Sequence, residues 1–236
     1  MLYNKKMIKH MAIIIPTRER APKIVKLHEQ WFKVTNPYVS TDCIIVLDSD
    51  NESTYERLPG FIYHVVYTDG KRGVVTPLNN VATKIYNNYQ YVGFWGDDHF
   101  PHTQDWNVMM YDTLHKNKPF SMVYGNDLLQ GSRLCTEIIM DSNYISQLGY
   151  MAHPEFTHLF IDDVWMYMGK RKNNIHYLDN VIIEHLHYTN QKSEVDDLYL
   201  INNTDTVSYD IFKRVTESQE FNESLDNLHI LEENKN

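Results

Sequence analysis

Three stretches of this chain are continuous runs of apolar residues that each stop at a polar turn. Met11 to Ile15 ends at Pro16-Thr17-Arg18, Cys43 to Leu47 ends at Asp48-Ser-Asp50, and Tyr91 to Trp95 ends at Gly96-Asp97-Asp98. A strand that is apolar at every position is buried on both faces, and such strands belong to parallel sheets covered by helices on each side. Between the first two runs, Pro22 sits where a first helical turn begins, and Ile24, Leu27, Trp31 and Val34 recur at helical spacing. Phe61 to Tyr67 is a further apolar run, and Thr76 followed by Pro77 reads as an N-cap with proline at the first helical position, opening a helix through about Asn88. The resulting order, β-α-β-β-α-β, predicts an α/β fold with a mostly parallel open sheet flanked by helices. Ligands of such sheets bind outside the carboxyl ends of the strands.

Beyond Asp105 the pattern predicts a short helix, strands at Phe120 to Tyr124 and Leu134 to Met140, a helical turn at Asp162 to Gly169 and a strand at His176 to His187. Tyr209 to Val215 reads as a helix, and the last dozen residues read as frayed. At 236 residues the chain suits one domain. We expect that domain over residues 1–190, with residues 191–236 as a helical C-terminal extension packed on it.

The formal charge of -9 and pI of about 5.7 speak against a dedicated basic nucleic-acid module, although a local patch that touches DNA stays open. The two cysteines, Cys43 and Cys135, lie in apolar runs and read as buried free thiols of a reducing compartment. The N-terminal lysines precede an apolar run far shorter than the ~20 residues that span a membrane. A cytoplasmic location without a membrane anchor is therefore expected.

The segment richest in chemistry is Val92-Gly-Phe-Trp-Gly-Asp-Asp-His-Phe-Pro101, where a buried strand delivers two adjacent carboxylates and a histidine at its carboxyl end. Hard divalent ions such as Mg²⁺ or Mn²⁺ take one or two carboxylate oxygens from a protein and the rest from water and phosphate. The bland reading of the same residues is a solvated turn. Val181-Ile-Ile-Glu-His-Leu-His187 puts two histidines on one face of a strand, as metal ligands or as a hydrogen-bonded surface pair. Trp95, Trp106, Trp165 and several tyrosines offer stacking surfaces, which at these spacings also read as core.

Over roughly residues 11–190 the order and spacing of these motifs resemble glycosyltransferase family 2 and its relatives of the GT-A fold. Ile13-Ile-Ile-Pro-Thr-Arg18 resembles the opening strand with its Pro-Thr-x-x-Arg loop, and Val46-Leu-Asp-Ser-Asp50 resembles the acidic end of the second strand. Arg72-Gly73 with Pro77-Leu-Asn79 is similar to the segment leading to the metal motif, and Gly96-Asp97-Asp98 stands where the family has Asp-x-Asp. The first aspartate of that motif is Gly96 here, which leaves Asp98 as the implied metal ligand and Asp97 as a residue that holds ribose or orients water. The resemblance implies a nucleotide-sugar donor, UDP-linked by default, held by Pro16, Thr17, Arg18, Asp48, Arg72, Asn79, Asp97 and Lys192. It implies Mn²⁺ or Mg²⁺ as cofactor, with His187 favoured over His185 as the late histidine ligand.

Phe160-Ile-Asp-Asp-Val-Trp165 resembles the acidic motif of inverting members, with Asp163 as the base that deprotonates the acceptor hydroxyl and Asp162 as a cap of the following helix. On the acceptor side the resemblance implies Asn126, Asp127, Asp162 and Trp165. The acceptor stays open between a modified DNA base, a protein, and a polysaccharide or lipid-linked glycan. Similarity to small bacteriophage-encoded glycosyltransferases tilts the expectation towards phage DNA or phage protein. A nucleotidyltransferase would open with a glycine-rich phosphate loop, which Pro16-Thr-Arg-Glu-Arg20 lacks. A non-catalytic nucleotide-sugar-binding module is the remaining alternative.

Overall fold

The computed structural model describes residues 9–67, 73–187, 192 and 206–229. Strand β1 (Lys9–Thr17) is the spine of the sheet, and its residues Met11 to Ile15 are fully buried. It pairs in parallel with β2 (Thr41–Asp48), Ile13 opposite Cys43, and with β4 (Tyr89–Phe94), Ile13 opposite Gly93. Strand β3 (Ile62–Val66) continues the parallel set outside β2. The inner strands β1, β2 and β4 are the doubly covered strands that the apolar runs predict, whereas the edge strand β3 is only partly buried.

On the other side of β4 the chain reverses. β6 (Met122–Asn126) and β7 (Ile138–Asp141) follow, with β7 antiparallel to both β4 and β6. The long β8 (Ile175–His185) runs parallel to β6, and the three-residue β5 (His99–Pro101) pairs antiparallel with the end of β8. The spatial order is β3-β2-β1-β4-β7-β6-β8-β5, an eight-stranded, mostly parallel sheet.

Side chains alternate between two apolar layers, as the two-residue period of a strand requires. Met11, Ile13 and Ile15 pack with Ile24, Leu27 and Trp31 of helix α1 (Ala21–Val34) and with Trp106 and Met110 of α3 (Trp106–Lys116). Ala12 and Ile14 face the opposite layer, built from α2 (Val75–Ile85), α4 (Ser142–Leu148) and α5 (Ile161–Arg171). Gly93 is required where the layers press closest, since a Cβ there would lie 2.6 Å from Ile13 Cδ1 and 2.9 Å from the Ile138 carbonyl.

Several local expectations are corrected. Helix α2 starts at Val75 without a side-chain cap. The Thr157 carbonyl, distant in sequence, accepts from the N–H groups of Val74 (2.9 Å) and Val75 (3.2 Å), so Thr76 is not needed as a cap. The short β5 and α4 are additional to the elements read from the sequence. Towards the C-terminus, helices α6 (Thr206–Glu217) and α7 (Gln219–Asp226) bring Val215, Phe221 and Leu225, with Leu228 just after α7, into the same apolar layer as α2 and α5. Ser218 caps α7 by accepting from the Phe221 N–H at 3.2 Å, and Arg171 pairs with Asp226. Both cysteines are buried and unbonded. Among the described residues no helix is long and apolar enough to cross a membrane.

Candidate functional site

The carboxyl ends of β1, β2 and β4 open into a cleft of about 490 Å³, closed on the far side by the start of α5 and the end of β8. Pro16, Thr17, Arg18, Asp48, Asp97, Asp98, Asp162, Trp165, His185 and His187 all line it. Arg72 lies outside the described residues.

Asp97 is buried and held from two sides. Thr17 Oγ1 donates to Oδ2 at 2.7 Å and Arg20 Nη1 donates to Oδ1 at 2.8 Å. Tyr55 locks this corner, its hydroxyl 3.0 Å from Thr17 Oγ1 and accepting from the Arg20 N–H at 3.0 Å. Burial pushes the Asp97 carboxyl above its ordinary range, against the opposing pull of Arg20. Arg18 is pinned separately, by Asp48 (2.8 Å) and by a two-toothed contact to Asp50 (both 2.8 Å). These carboxylates raise its pKa further. The Asp48–Arg18 pair thus presents a hydrogen-bond acceptor and a donor side by side on the cleft wall.

Asp98 points to two imidazoles. Its Oδ1 lies 3.4 Å from His99 Nδ1 and 3.5 Å from His185 Nε2, and the ligand atoms of Asp98, His99 and His185 lie within 4.8 Å of one another. Strand register brings these groups together: His99 in β5 is paired with His185 in β8, and their rings stack at 4.1 Å. Two backbone bonds fix the approach, from the His185 N–H to the Asp127 carbonyl (3.0 Å) and from the Leu186 N–H to the Asp98 carbonyl (2.8 Å). Burial alone would raise the Asp98 carboxyl, but the His185 imidazole outweighs it and holds the group well below the usual range. Gly96 leaves the room this corner needs: a Cβ there would stand 2.6 Å from Asp98 Oδ1 and 2.9 Å from His99 Nδ1.

The two imidazoles differ in what they can do. The Gly96 N–H can only donate, and it meets His99 Nδ1 at 3.1 Å, so Nδ1 accepts and the ring proton sits on Nε2. From there the proton points to Thr136 Oγ1 (3.2 Å), which donates to Asp127 Oδ2 (2.8 Å). Burial lowers the basicity of His99, in keeping with an uncharged ring. His99 is thereby committed to a buried relay behind the cleft. Asp98 and His185 remain as the natural ligand pair for a cation. His187 lines the same cleft, its ring 5.0 Å from that of His185, and burial followed by the His185 charge pushes it down to about 4. One carboxylate oxygen with imidazole nitrogen suits a divalent transition ion such as Mn²⁺ better than Mg²⁺, which prefers oxygen throughout.

On the opposite wall Asp162 and Asp163 open α5, and only Asp162 lines the cleft. Burial, reinforced by the neighbouring Asp163 charge, pushes Asp162 up to about 7. Asp163 is half-buried and also raised, by burial. Trp165 lines the cleft from the core, its Nε1 donating to the Met151 carbonyl at 2.7 Å.

The other residues singled out in the sequence lie around the cleft rather than in its lining. Asp127 is a loop clamp: Oδ1 accepts from the N–H groups of Leu129 (2.9 Å), Gln130 (2.7 Å) and Gly131 (2.8 Å). Asn126 accepts from the Leu128 N–H in the same loop. Asn79 spends its amide on the backbone of Met151 and Ala152. Lys192 is paired with Glu184. Conversely, Arg20, Gln130, Thr136 and His158 line the cleft without having been singled out, and His99, noted beside the two aspartates but given no role, lines it as well. Arg20 had a visible signal, because the arginine of a Pro-Thr-x-x-Arg motif beginning at Pro16 falls on it.

No protein-family model matches the sequence, and no curated protein matches it. Solved structures do. S. aureus TarS in complex with UDP-GlcNAc superposes with a TM-score of 0.64 at 11% identity, covering 95% of this chain and 68% of that one. The mannosyltransferase PcManGT from Pyrobaculum calidifontis, in complex with GDP-Man and Mn²⁺, superposes with a TM-score of 0.54 at 13% identity, covering 76% of this chain and 58% of that one. The chain thus spans about three-fifths to two-thirds of the length of these structures. At such identities the likeness speaks for architecture: the chain has the α/β GT-A fold of these glycosyltransferases.

Proposed function

We propose that the protein is a divalent-metal-dependent glycosyltransferase that moves a sugar from a nucleotide-sugar donor, UDP-linked by preference, to an acceptor hydroxyl with inversion. The observation that carries this reading is the convergence of Asp98 and His185 in a cleft at the carboxyl edge of β1, β2 and β4. Two glycosyltransferases of the same fold were solved with nucleotide sugars, one of them with Mn²⁺.

On this reading Asp98 and His185, with His187 within reach, hold Mn²⁺ or Mg²⁺, which when bound supplies positive charge against the donor diphosphate. Asp48 and Arg18 face the nucleobase and ribose, with Pro16 and Thr17 forming the floor. Arg20 adds a cationic guanidinium beside Asp97, and Arg72 and Lys192 are further candidates for the diphosphate; Lys192 would first have to leave Glu184. Asp162 removes the proton of the acceptor hydroxyl as that oxygen attacks the anomeric carbon. A carboxyl near 7 is half deprotonated at neutral pH and suited to the work of a base. The role passes to Asp162 from Asp163 because only Asp162 lines the cleft, and Asp163 acts through its charge. Trp165 and the loop clamped by Asn126 and Asp127 border the acceptor side, while Asn79 supports the wall from behind.

We further propose that residues 1–190 carry this activity with residues 191–236 as a packed extension, that the protein works in the cytoplasm, and that the acceptor belongs to phage DNA or phage protein. A thermal-shift screen of UDP-, GDP- and dTDP-sugars with and without Mn²⁺ tests the reading, because binding to the native state raises its stability by mass action. One donor should stand out, and only with metal. Equal, metal-independent responses across the panel would refute it.

A further inference from the structure

His158 lines the cleft, yet none of the roles above uses it. Its backbone is fixed from both sides. On one side the Thr157 carbonyl is bound by the N–H groups of Val74 and Val75, and Gly73, at φ +136, lets that carbonyl approach where a Cβ would stand 2.5 Å away. On the other side Phe160 adopts a left-handed conformation at the start of α5 and stacks on Phe212 of α6, centroids 5.8 Å apart. Among the described residues no hydrogen bond, ion pair or ring contact engages the His158 side chain. An imidazole carried on a backbone anchored at both flanks, with no hydrogen-bond partner of its own in the cleft, is placed to take one from a ligand.

The ligand's chemistry follows from the ring. Burial lowers its basicity and Arg20 adds to this, against the opposing pull of Asp98, so the imidazole is uncharged at neutral pH. An uncharged imidazole offers one N–H donor and one lone pair. A sugar hydroxyl offers the same two functions in return, whereas a diphosphate offers only acceptors and is served by Arg20. His158 is also outside the group of converging metal-ligand atoms. We propose that His158 reads a hydroxyl of the sugar carried by the donor, accepting one hydrogen bond and giving another, and so helps set which sugar is bound. This rests on the glycosyltransferase reading above.

Calorimetry with UDP-glucose, UDP-N-acetylglucosamine and GDP-mannose, each beside UDP or GDP alone and all with Mn²⁺, separates the possibilities. His158→Ala and the bulk-retaining His158→Leu should weaken the sugar-linked nucleotide about tenfold and leave the free nucleoside diphosphate within about twofold. His158→Gln, which keeps a donor and an acceptor, should recover part of the loss. Equal weakening of both ligands would assign His158 to the diphosphate, and no weakening of either would make it a wall residue; each result overturns the inference alone. If the wild-type protein binds none of the panel, the glycosyltransferase reading fails and takes this inference with it.

Discussion

Asp127 joins the fold to the cleft, and its replacement should be felt in both. The carboxylate accepts four hydrogen bonds, three from the backbone of residues 129–131 and one from Thr136. Burial alone would raise its pKa, but the bonds from Gly131, Leu129, Thr136 and Gln130 prevail and hold it below the ordinary range. At about 1 kcal/mol net for each bond whose donor water can reach, Asp127→Ala should cost about 3–4 kcal/mol. Asp127→Asn keeps an oxygen for the three backbone donors, but its amide cannot accept from Thr136. The Thr136 hydroxyl must then turn, and about 1–2 kcal/mol should be lost. The folded pKa lies below the unfolded value of about 3.9, so the charge contributes its stability above that pH and loses it as the pH falls through the folded pKa. Urea unfolding should therefore give a wild-type advantage over Asp127→Asn at pH 7 that shrinks at pH 3.5. A variant as stable as wild type at pH 7, or a gap that ignores pH, would refute the clamp.

The remaining predictions concern the cleft walls and the core. Asp162→Asn should abolish transfer while donor binding persists, and wild-type kcat/KM should rise with pH to a plateau with a midpoint at or below about 7, because a bound cation draws the carboxyl down. The same variant should be more stable than wild type at pH 8 but not at pH 4 when unliganded. A carboxyl whose folded pKa is raised costs stability as pH climbs from its unfolded value to its folded one, and the amide removes that cost; equal melting curves at pH 8 would contradict this. Gly73→Ala should cost about 1–3 kcal/mol through its positive φ and its clash with the Thr157 carbonyl, measured by denaturant melts, and should loosen donor binding through His158. Cys43 and Cys135, both pushed up by burial, should react with a thiol reagent only after unfolding.

The parallel half of the sheet was legible because its strands are apolar at every position, so burial on both faces left one reading for Met11 to Ile15, Cys43 to Leu47 and Tyr91 to Trp95. β5 was not, since its three residues have no periodicity of their own and are defined by pairing with β8, about eighty residues on. The same distance hid the Thr157 carbonyl that starts α2. In the cleft, residue types near strand ends pointed to Asp97, Asp98 and the late histidines. Which histidine meets Asp98 depends on register, and the β5–β8 pairing brings His185 to 3.5 Å from its carboxylate. His99 stood in view beside Asp98, but its commitment to Gly96 and Thr136 is a matter of hydrogen-bond direction that no sequence pattern carries. Asp162 and Asp163 read alike as letters and differ only in which one the first turn of α5 turns into the cleft.

The direct measurement is a Mn²⁺ titration followed by electron paramagnetic resonance, with and without UDP, on wild type and on the Asp98→Ala, His185→Ala and His99→Gln proteins. Wild type should bind one Mn²⁺ more tightly in the presence of UDP, Asp98→Ala and His185→Ala should each lose at least tenfold in affinity, and His99→Gln should lose less. Mn²⁺ affinity unchanged by removal of Asp98 and of His185 would contradict the account.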